Sequence, residues 1–158
     1  MLGPTKLNDS ILAKTVNIRE MDLTDVSRIS GIEQRVTPHP WRESQFIDSH
    51  AKHSCLVLEQ DNIVVGYAIF HIIVGEAEIL NIAISPDCQG RGYGRQLLDY
   101  MVNVVSNQAE RFFLEVRVSN NKAIQLYENT GFVEVCLRRN YYQTAKGSED
   151  AMLMAMEL

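Results

Sequence analysis

Between residues 89 and 95 the chain reads Gln-Gly-Arg-Gly-Tyr-Gly-Arg, a spacing of glycines and arginines suited to holding an anion. Gly90, Gly92 and Gly94 remove three β-carbons within five residues, so the backbone can turn tightly and bring its N–H groups close to a ligand. Tyr93, Leu97, Leu98, Met101, Val102 and Val105 then recur at helical spacing, which predicts a helix starting inside the loop, near Tyr93. Its first N–H groups have no partners within the helix, and the aligned peptide dipoles add partial positive charge there. Arg91 and Arg95 add full charges beside it. Two common phosphate loops do not fit. A GxGxxG fingerprint begun at Gly90 needs glycine where Arg95 stands, and a GxxxxGK loop needs a lysine that does not follow. A turn that only reverses the chain is the plain alternative.

Other elements must position that loop. Ahead of it, Ile79, Leu80, Ile82, Ala83 and Ile84 are apolar and largely branched, and Pro86 ends the pairing, which predicts a buried strand running into the glycines. Earlier, Thr15 to Arg19 suits an edge strand. Thr24 can cap a helix carrying Val26, Ile29, Ile32 and Val36, which Pro38 and Pro40 stop. Arg42 to Ala51 reads as a second helix, and Ser54 to Gln60 with Ile63 to Val74 as a hairpin turning at Asp61 and Asn62. Beyond the central helix, Phe112 to Val118 reads as a strand, Asn121 to Thr130 as a helix closed by Gly131, and Phe132 to Leu137 as a strand. Tyr141 and Tyr142 fall in a polar loop before a last strand, Asp150 to Met156. This order predicts a mixed α/β sheet with helices on both faces.

Composition bounds the rest. At 158 residues and 46% apolar, residues 15–158 are expected to form one domain with its own core, after a flexible N-terminal extension at residues 1–14. A net charge of −5 argues against nonspecific nucleic-acid binding and is compatible with a basic partner, although it is also ordinary for solubility. Cys55, Cys88 and Cys136 are widely spaced with no CxxC pair, so no disulfide framework, zinc cluster or other metal is expected, and a cytoplasmic location follows. His50 and His53 have HxxH spacing without a supporting cluster. No apolar run reaches membrane-spanning length.

The pattern Gln89, Gly92, Gly94 between an apolar strand and an amphipathic helix resembles the GCN5-related N-acetyltransferase (GNAT) family, in which it holds the pyrophosphate of acetyl-coenzyme A. The stretch Arg111 to Phe132 with its LEVR and LYENTGF segments, Pro40 with Trp41, the NIAISP stretch and the RRNYY run from Arg138 to Tyr142 are together similar to one bacterial branch of it. Members of that branch acetylate the N-terminal alanine of a small-subunit ribosomal protein. The likeness runs from Val16 to the C-terminus, and the extension before it is a departure. It implies a mixed, mostly antiparallel sheet of about seven strands with about four helices, splayed between the fourth and fifth strands. The pantetheine arm of the cofactor then lies in the gap, paired with Ile82, Ala83 and Ile84, and Gln89 to Arg95 hold its phosphates. A basic peptide N-terminus is the implied partner, and a monomer or weak dimer the expected state. Acetylation of lysine or small amines, and a non-catalytic acyl-coenzyme A binding module, are the alternatives.

Acetyl transfer needs an acceptor for the amine proton and a donor for the departing thiolate. Glu115, on the same strand side as Phe113 and Arg117, is the expected base, a carboxylate in an otherwise apolar cleft. A surface carboxylate paired with Arg117 or another cation is the other reading. Tyr127 shares a helix face with Ala123 and Ile124, and the resemblance makes it the thiolate's acid; a half-buried core tyrosine is the alternative. Asn120 is expected to contact the cofactor, to cap the helix, or both. Trp41, Tyr141 and Tyr142 are candidates for closing over the acceptor peptide or for plain packing. Cys88 as an acyl-enzyme nucleophile lacks a neighbouring histidine, which favours direct transfer in a ternary complex.

Overall fold

Branched and aromatic residues bury themselves at Leu56 to Leu58, at Val64, Val65 and Tyr67 to Phe70, and at Ala77 and Ile79. In a computed structural model of the protein, which describes residues 14–158, these are the central strands of a seven-stranded sheet. The strands are β1 (Val16–Glu20), β2 (Ser54–Gln60), β3 (Ile63–Ile73), β4 (Glu76–Ile84), β5 (Arg111–Arg117), β6 (Val133–Thr144) and β7 (Gly147–Glu157). The helices are α1 (Val26–Val36), α2 (Glu43–Lys52), α3 (Tyr93–Val105) and α4 (Asn121–Thr130). Spatial order is β1-β2-β3-β4-β5-β7-β6. Every neighbouring pair is antiparallel except β4 and β5. The mixed sheet and its helices agree with the expected architecture. Except for Lys14, the extension at residues 1–14 lies outside the described residues.

Each sheet face has its own core. Leu97, Leu98, Met101 and Val105 of α3 and Tyr127 of α4 pack with Ala77, Ile79, Phe112 and Leu114. On the other face Val26, Ile29 and Ile32 of α1 and Phe46 of α2 pack with Val57, Tyr67 and Ile69. The separation follows from strand alternation, since successive side chains point to opposite faces. The hairpin turns at Asp61 and Asn62, with φ of 52° and 66°, as a two-residue turn between right-twisted strands requires.

Two local readings are corrected. Thr24 does not cap α1. Asp22 accepts the Thr24 N–H at 3.0 Å, and the Asp22 N–H donates to Asp25 at 2.8 Å. This reciprocal box starts a short 3₁₀ turn, Leu23–Asp25, that leads into the helix. Nor do Tyr141 and Tyr142 lie in a loop, because β6 continues to Thr144 and only a tight turn separates it from β7. The register slips between Arg138 and Tyr142, where Asn140 takes a left-handed φ of 56° and its N–H donates to Asp150 at 2.9 Å. An edge strand exposed on both sides needs no apolar alternation, so its polar sequence reads as loop.

Among the described strands β4 and β5 share the shortest ladder. They match Glu76 with Arg111, Ala77 with Phe112 and Glu78 with Phe113, and then part. β5 continues beside β7 as far as Arg117, while the stretch from Ile79 to Ile84 keeps only β3 as a partner. Phe112 is fully buried at the last rungs, 5.5 Å from Phe132. Phe112→Ala is expected to lower the unfolding free energy by about 3–5 kcal/mol, read as a smaller urea midpoint at unchanged slope; an unchanged midpoint would show that this ring does not anchor the junction.

Candidate active site

Where the strands part, two adjoining cavities open. The larger, about 920 Å³, runs from Asn81, Ile82, Ala83 and Ile84 of β4 over Gln89, Gly90 and Gly92 to Asn120, Ala123 and Tyr127. The smaller, about 190 Å³, lies in the gap itself, between Ile79 to Ile82 on one side and Leu114 to Arg117 on the other. Asn81, Ile82, Asn120 and Tyr127 line both. The backbone groups of β4 that β5 would have satisfied therefore face a hollow.

The glycine loop forms one end of the larger cavity. Gly90 and Gly92 sit at φ of 77° and 83°, a region that costs residues with a β-carbon. Gly92 is the N-terminal cap of α3, and the first helical N–H bond is made by Gln96 to the Gly92 carbonyl at 3.1 Å. The N–H groups of Tyr93, Gly94 and Arg95 thus begin the helix without intrahelical acceptors. Gln89 seals the end of β4, its Nε2 donating to the Ile84 carbonyl at 3.0 Å. Gly94 has a second use: a β-carbon there would lie 3.0 Å from Leu126 of α4, so its absence allows the two helices to meet.

The loop's two arginines behave differently. Arg95 lines the cavity while donating to Asp99 at 3.0 Å and to the Asn129 carbonyl at 3.1 Å. Arg91 turns away, donating to Gln60 of β2 at 3.0 Å, where the Tyr93 hydroxyl also donates at 2.6 Å. Arg91 is not among the residues lining either cavity. Asn120 caps α4 by accepting the Ala123 N–H at 3.3 Å, and it also lines both cavities.

Glu115 lies on the β5 side of the gap but not in apolar surroundings. Its Oε1 forms an ion pair with Arg138 at 2.9 Å, and the nearby Tyr141 phenol is raised above its ordinary range by this carboxylate. β7 lies between β5 and β6, and in register Arg117, Ala151 and Arg138 stand side by side. The long Arg138 side chain therefore reaches diagonally over β7. Arg117, the partner considered from sequence, instead pairs with Glu149 at 3.4 Å and stacks over the Tyr142 ring at 4.2 Å. Tyr141 and Tyr142 pack edge to face at 5.0 Å; Tyr142 lines the gap, and Tyr141 is half exposed beside it. Tyr127 is buried at the junction of the cavities, and that burial, with a smaller effect from Tyr142, pushes its phenol far above the usual range. It stays a proton donor at any ordinary pH.

The remaining candidates separate from the site. Trp41 packs on Phe46 at 5.3 Å within the α1–α2 core and lines neither cavity. His53 leans on His71 with ring centres 5.5 Å apart, and Nδ1 of His53 is 3.1 Å from the Ser49 hydroxyl. Among the described residues no group of three or more His, Cys, Asp or Glu is placed to hold a metal, and Cys55, Cys88 and Cys136 are free thiols. No helix among these residues is long and apolar enough to cross a membrane. Sequence reasoning missed Glu33. This α1 carboxylate, 4% exposed, lines the larger cavity and accepts from Asn81 at 3.2 Å and from the Tyr67 hydroxyl. The only signal for it was an acidic residue between Ile32 and Val36 on a helix face otherwise read as apolar.

The parted parallel pair with its glycine-loop helix defines a class. Residues 20–132 match the model of the acetyltransferase (GNAT) family, and the chain belongs to that family. It is 40% identical over 140 residues, 87% of this chain and 95% of the relative, to ribosomal protein bS18-alanine N-acetyltransferase of Salmonella typhimurium. The crystal structure of the ribosomal-protein-S18-alanine N-acetyltransferase from Escherichia coli superposes with a TM-score of 0.85 at 37% identity, covering 90% of this chain and 94% of the other. Ard1 from Thermoplasma volcanium superposes at 0.84 with 27% identity, covering 90% and 97%.

Gly92→Asp is expected to weaken coenzyme A binding at least ~10-fold by putting a carboxylate at the helix start, whereas Gly92→Ala, which meets no atom within 4 Å, carries only the backbone strain of about 1 kcal/mol. Isothermal calorimetry on both separates the terms. Equal affinity in wild type and Gly92→Asp would mean that the phosphates do not sit there.

Proposed function

We propose that this acetyltransferase moves acetyl from acetyl-coenzyme A to the N-terminal alanine α-amine of a small-subunit ribosomal protein in the cytoplasm, by direct transfer within a ternary complex. The observation that carries the reading is the gap between β4 and β5, with relatives of that printed activity at 40% identity over most of the chain. The free edge of Ile82, Ala83 and Ile84 suits a peptide-like pantetheine arm, and the start of α3 suits its diphosphate. Held so, the thioester lies along β4, and the acceptor amine meets it from the Glu115 side.

The chemistry asks little of the base. An α-amine with pKa near 7.8 costs about 0.5 kcal/mol to deprotonate at pH 7.4, whereas a lysine near 10.4 costs about 4 kcal/mol. Glu115 accepts one proton from the ammonium, directly or through water. The freed nitrogen pair bonds to the thioester carbonyl carbon, the carbon–sulfur bond breaks as the Tyr127 hydroxyl gives its proton to the sulfur, and the nitrogen's second proton passes through water to the Tyr127 oxygen, leaving a neutral amide. Arg138 holds the Glu115 carboxylate in place while leaving it on the wall of the gap. Tyr142 and Tyr141 border the route by which a peptide N-terminus enters.

Peptides with a free N-terminal alanine, mixed with acetyl-coenzyme A and the enzyme, are expected to gain one acetyl by intact mass, and N-terminally blocked peptides carrying lysine none. The reverse pattern would reject the α-amine reading. Glu115→Gln is expected to lower turnover at least ~10²-fold near neutral pH with coenzyme A affinity nearly unchanged; full turnover would remove Glu115 from the role of base. Because burial raises the Tyr127 phenol, its protonated form persists as pH rises, so wild-type turnover should show no fall from this group between pH 7 and about 10. Tyr127→Phe should lower turnover ~10²-fold across that whole range, and an undiminished rate would exclude Tyr127 as the acid.

A further inference from the structure

Glu33 is the least exposed acidic side chain among the described residues, and it has no countercharge there. Its oxygens accept from three neutral groups: the Tyr67 hydroxyl of β3, Asn81 Nδ2 of β4 at 3.2 Å, and the Trp41 backbone N–H at 3.3 Å. None of the ion pairs among the described residues involves it. The arginines of its own helix are engaged elsewhere, Arg28 with the Val64 carbonyl at 2.9 Å and Arg35 with Asp87 at 3.0 Å. A carboxylate taken from water without a cation bears a large desolvation cost that neutral donors offset only in part. Burial and the neighbouring Glu33 charge also push the Tyr67 phenol far above its ordinary range, so that hydroxyl remains a donor.

The location is open to a cation from the cavity. Glu33 lines the larger cavity, and Asn81, which it holds, lines both that cavity and the gap bordered by Glu115. We propose that Glu33 binds the acceptor's α-ammonium as its counter-ion, on the β4 side of the gap, before Glu115 on the β5 side takes the proton. This deepens the α-amine reading above and rests on it. The two carboxylates then divide the work. Glu33, with neutral donors around it, attracts the charged amine. Glu115, with Arg138 beside it, receives the proton that must leave before the nitrogen can attack. The amide product carries no charge and loses the Glu33 pairing, which favours its release.

The test compares two ligands in the presence of coenzyme A without acetyl, so that no turnover occurs. One is a peptide beginning with alanine; the other is the same peptide beginning with a lactyl group, a hydroxyl replacing the amine. By calorimetry wild type should bind the alanine peptide at least ~10-fold more tightly. Glu33→Gln, and Glu33→Met as a second variant of similar length, should bring the two within about twofold at unchanged coenzyme A affinity. Glu115→Gln should keep the preference. A purely structural role for Glu33 would weaken both ligands alike and leave their ratio intact. Equal binding by wild type, which needs no variant, or a preference surviving in either folded Glu33 variant, would overturn the assignment. If that happens while wild type still acetylates α-amines by intact mass, only the role of Glu33 falls; if no α-amine is acetylated, the functional reading itself has failed.

Discussion

One missing set of hydrogen bonds governs this protein. Two parallel neighbours share a ladder at Glu78 and Phe113 and have lost it by Ile79, and an unpaired strand edge inside a fold is costly unless something else meets it. Here the edge faces a cavity instead of protein, so its N–H and C=O groups are open to a ligand with peptide-like groups. The parting is held open from both sides. β4 remains paired with β3 and β5 with β7 along their lengths, and each is backed by the α3–α4 core. The gap is a rigid consequence of packing and not a loosened sheet.

Charge is distributed around that gap with little surplus. At the glycine-loop end the helix start and Arg95 are positive, but Arg95 is shared with Asp99, and Arg91 braces Gln60 on β2. The groups left open to an anion there are therefore mainly backbone amides in fixed positions, an arrangement that needs no side chain to be ordered on binding. Around the gap two carboxylates stand in contrasting company. Glu115 has an arginine paired with it. Glu33 is gripped by neutral donors in a more deeply buried place. Environments this different let one residue type serve two purposes.

The framework was readable from the residues because it rests on local rules. The apolar run into Pro86, the glycines at positive φ and the stripe from Tyr93 to Val105 are neighbours in the chain, and their geometry follows from short-range sterics and periodicity. The same reasoning failed where an element is defined by its neighbours in space. The β6 residues Arg138 to Thr144 read as loop because a strand exposed at the sheet edge carries no alternating pattern. Trp41 read equally as a lid or as packing, and only the fold shows it packed against the α1–α2 core, since an aromatic side chain near a proline looks alike in either setting.

The strand–loop–helix unit, the helix caps at Asn120 and Gly131, and the presence of Glu115 and Tyr127 on adjacent elements were determined by sequence alone, since each depends on residues within a few positions of one another. Tertiary structure decided what those residues touch. Inserting β7 between β5 and β6 gives Glu115 its Arg138, and stacking α1 on β3 and β4 brings Glu33, Tyr67 and Asn81 together across 48 residues of chain. No local pattern encodes such meetings. They arise from the order in which strands pair and helices cross, which is settled by burying the whole core at once.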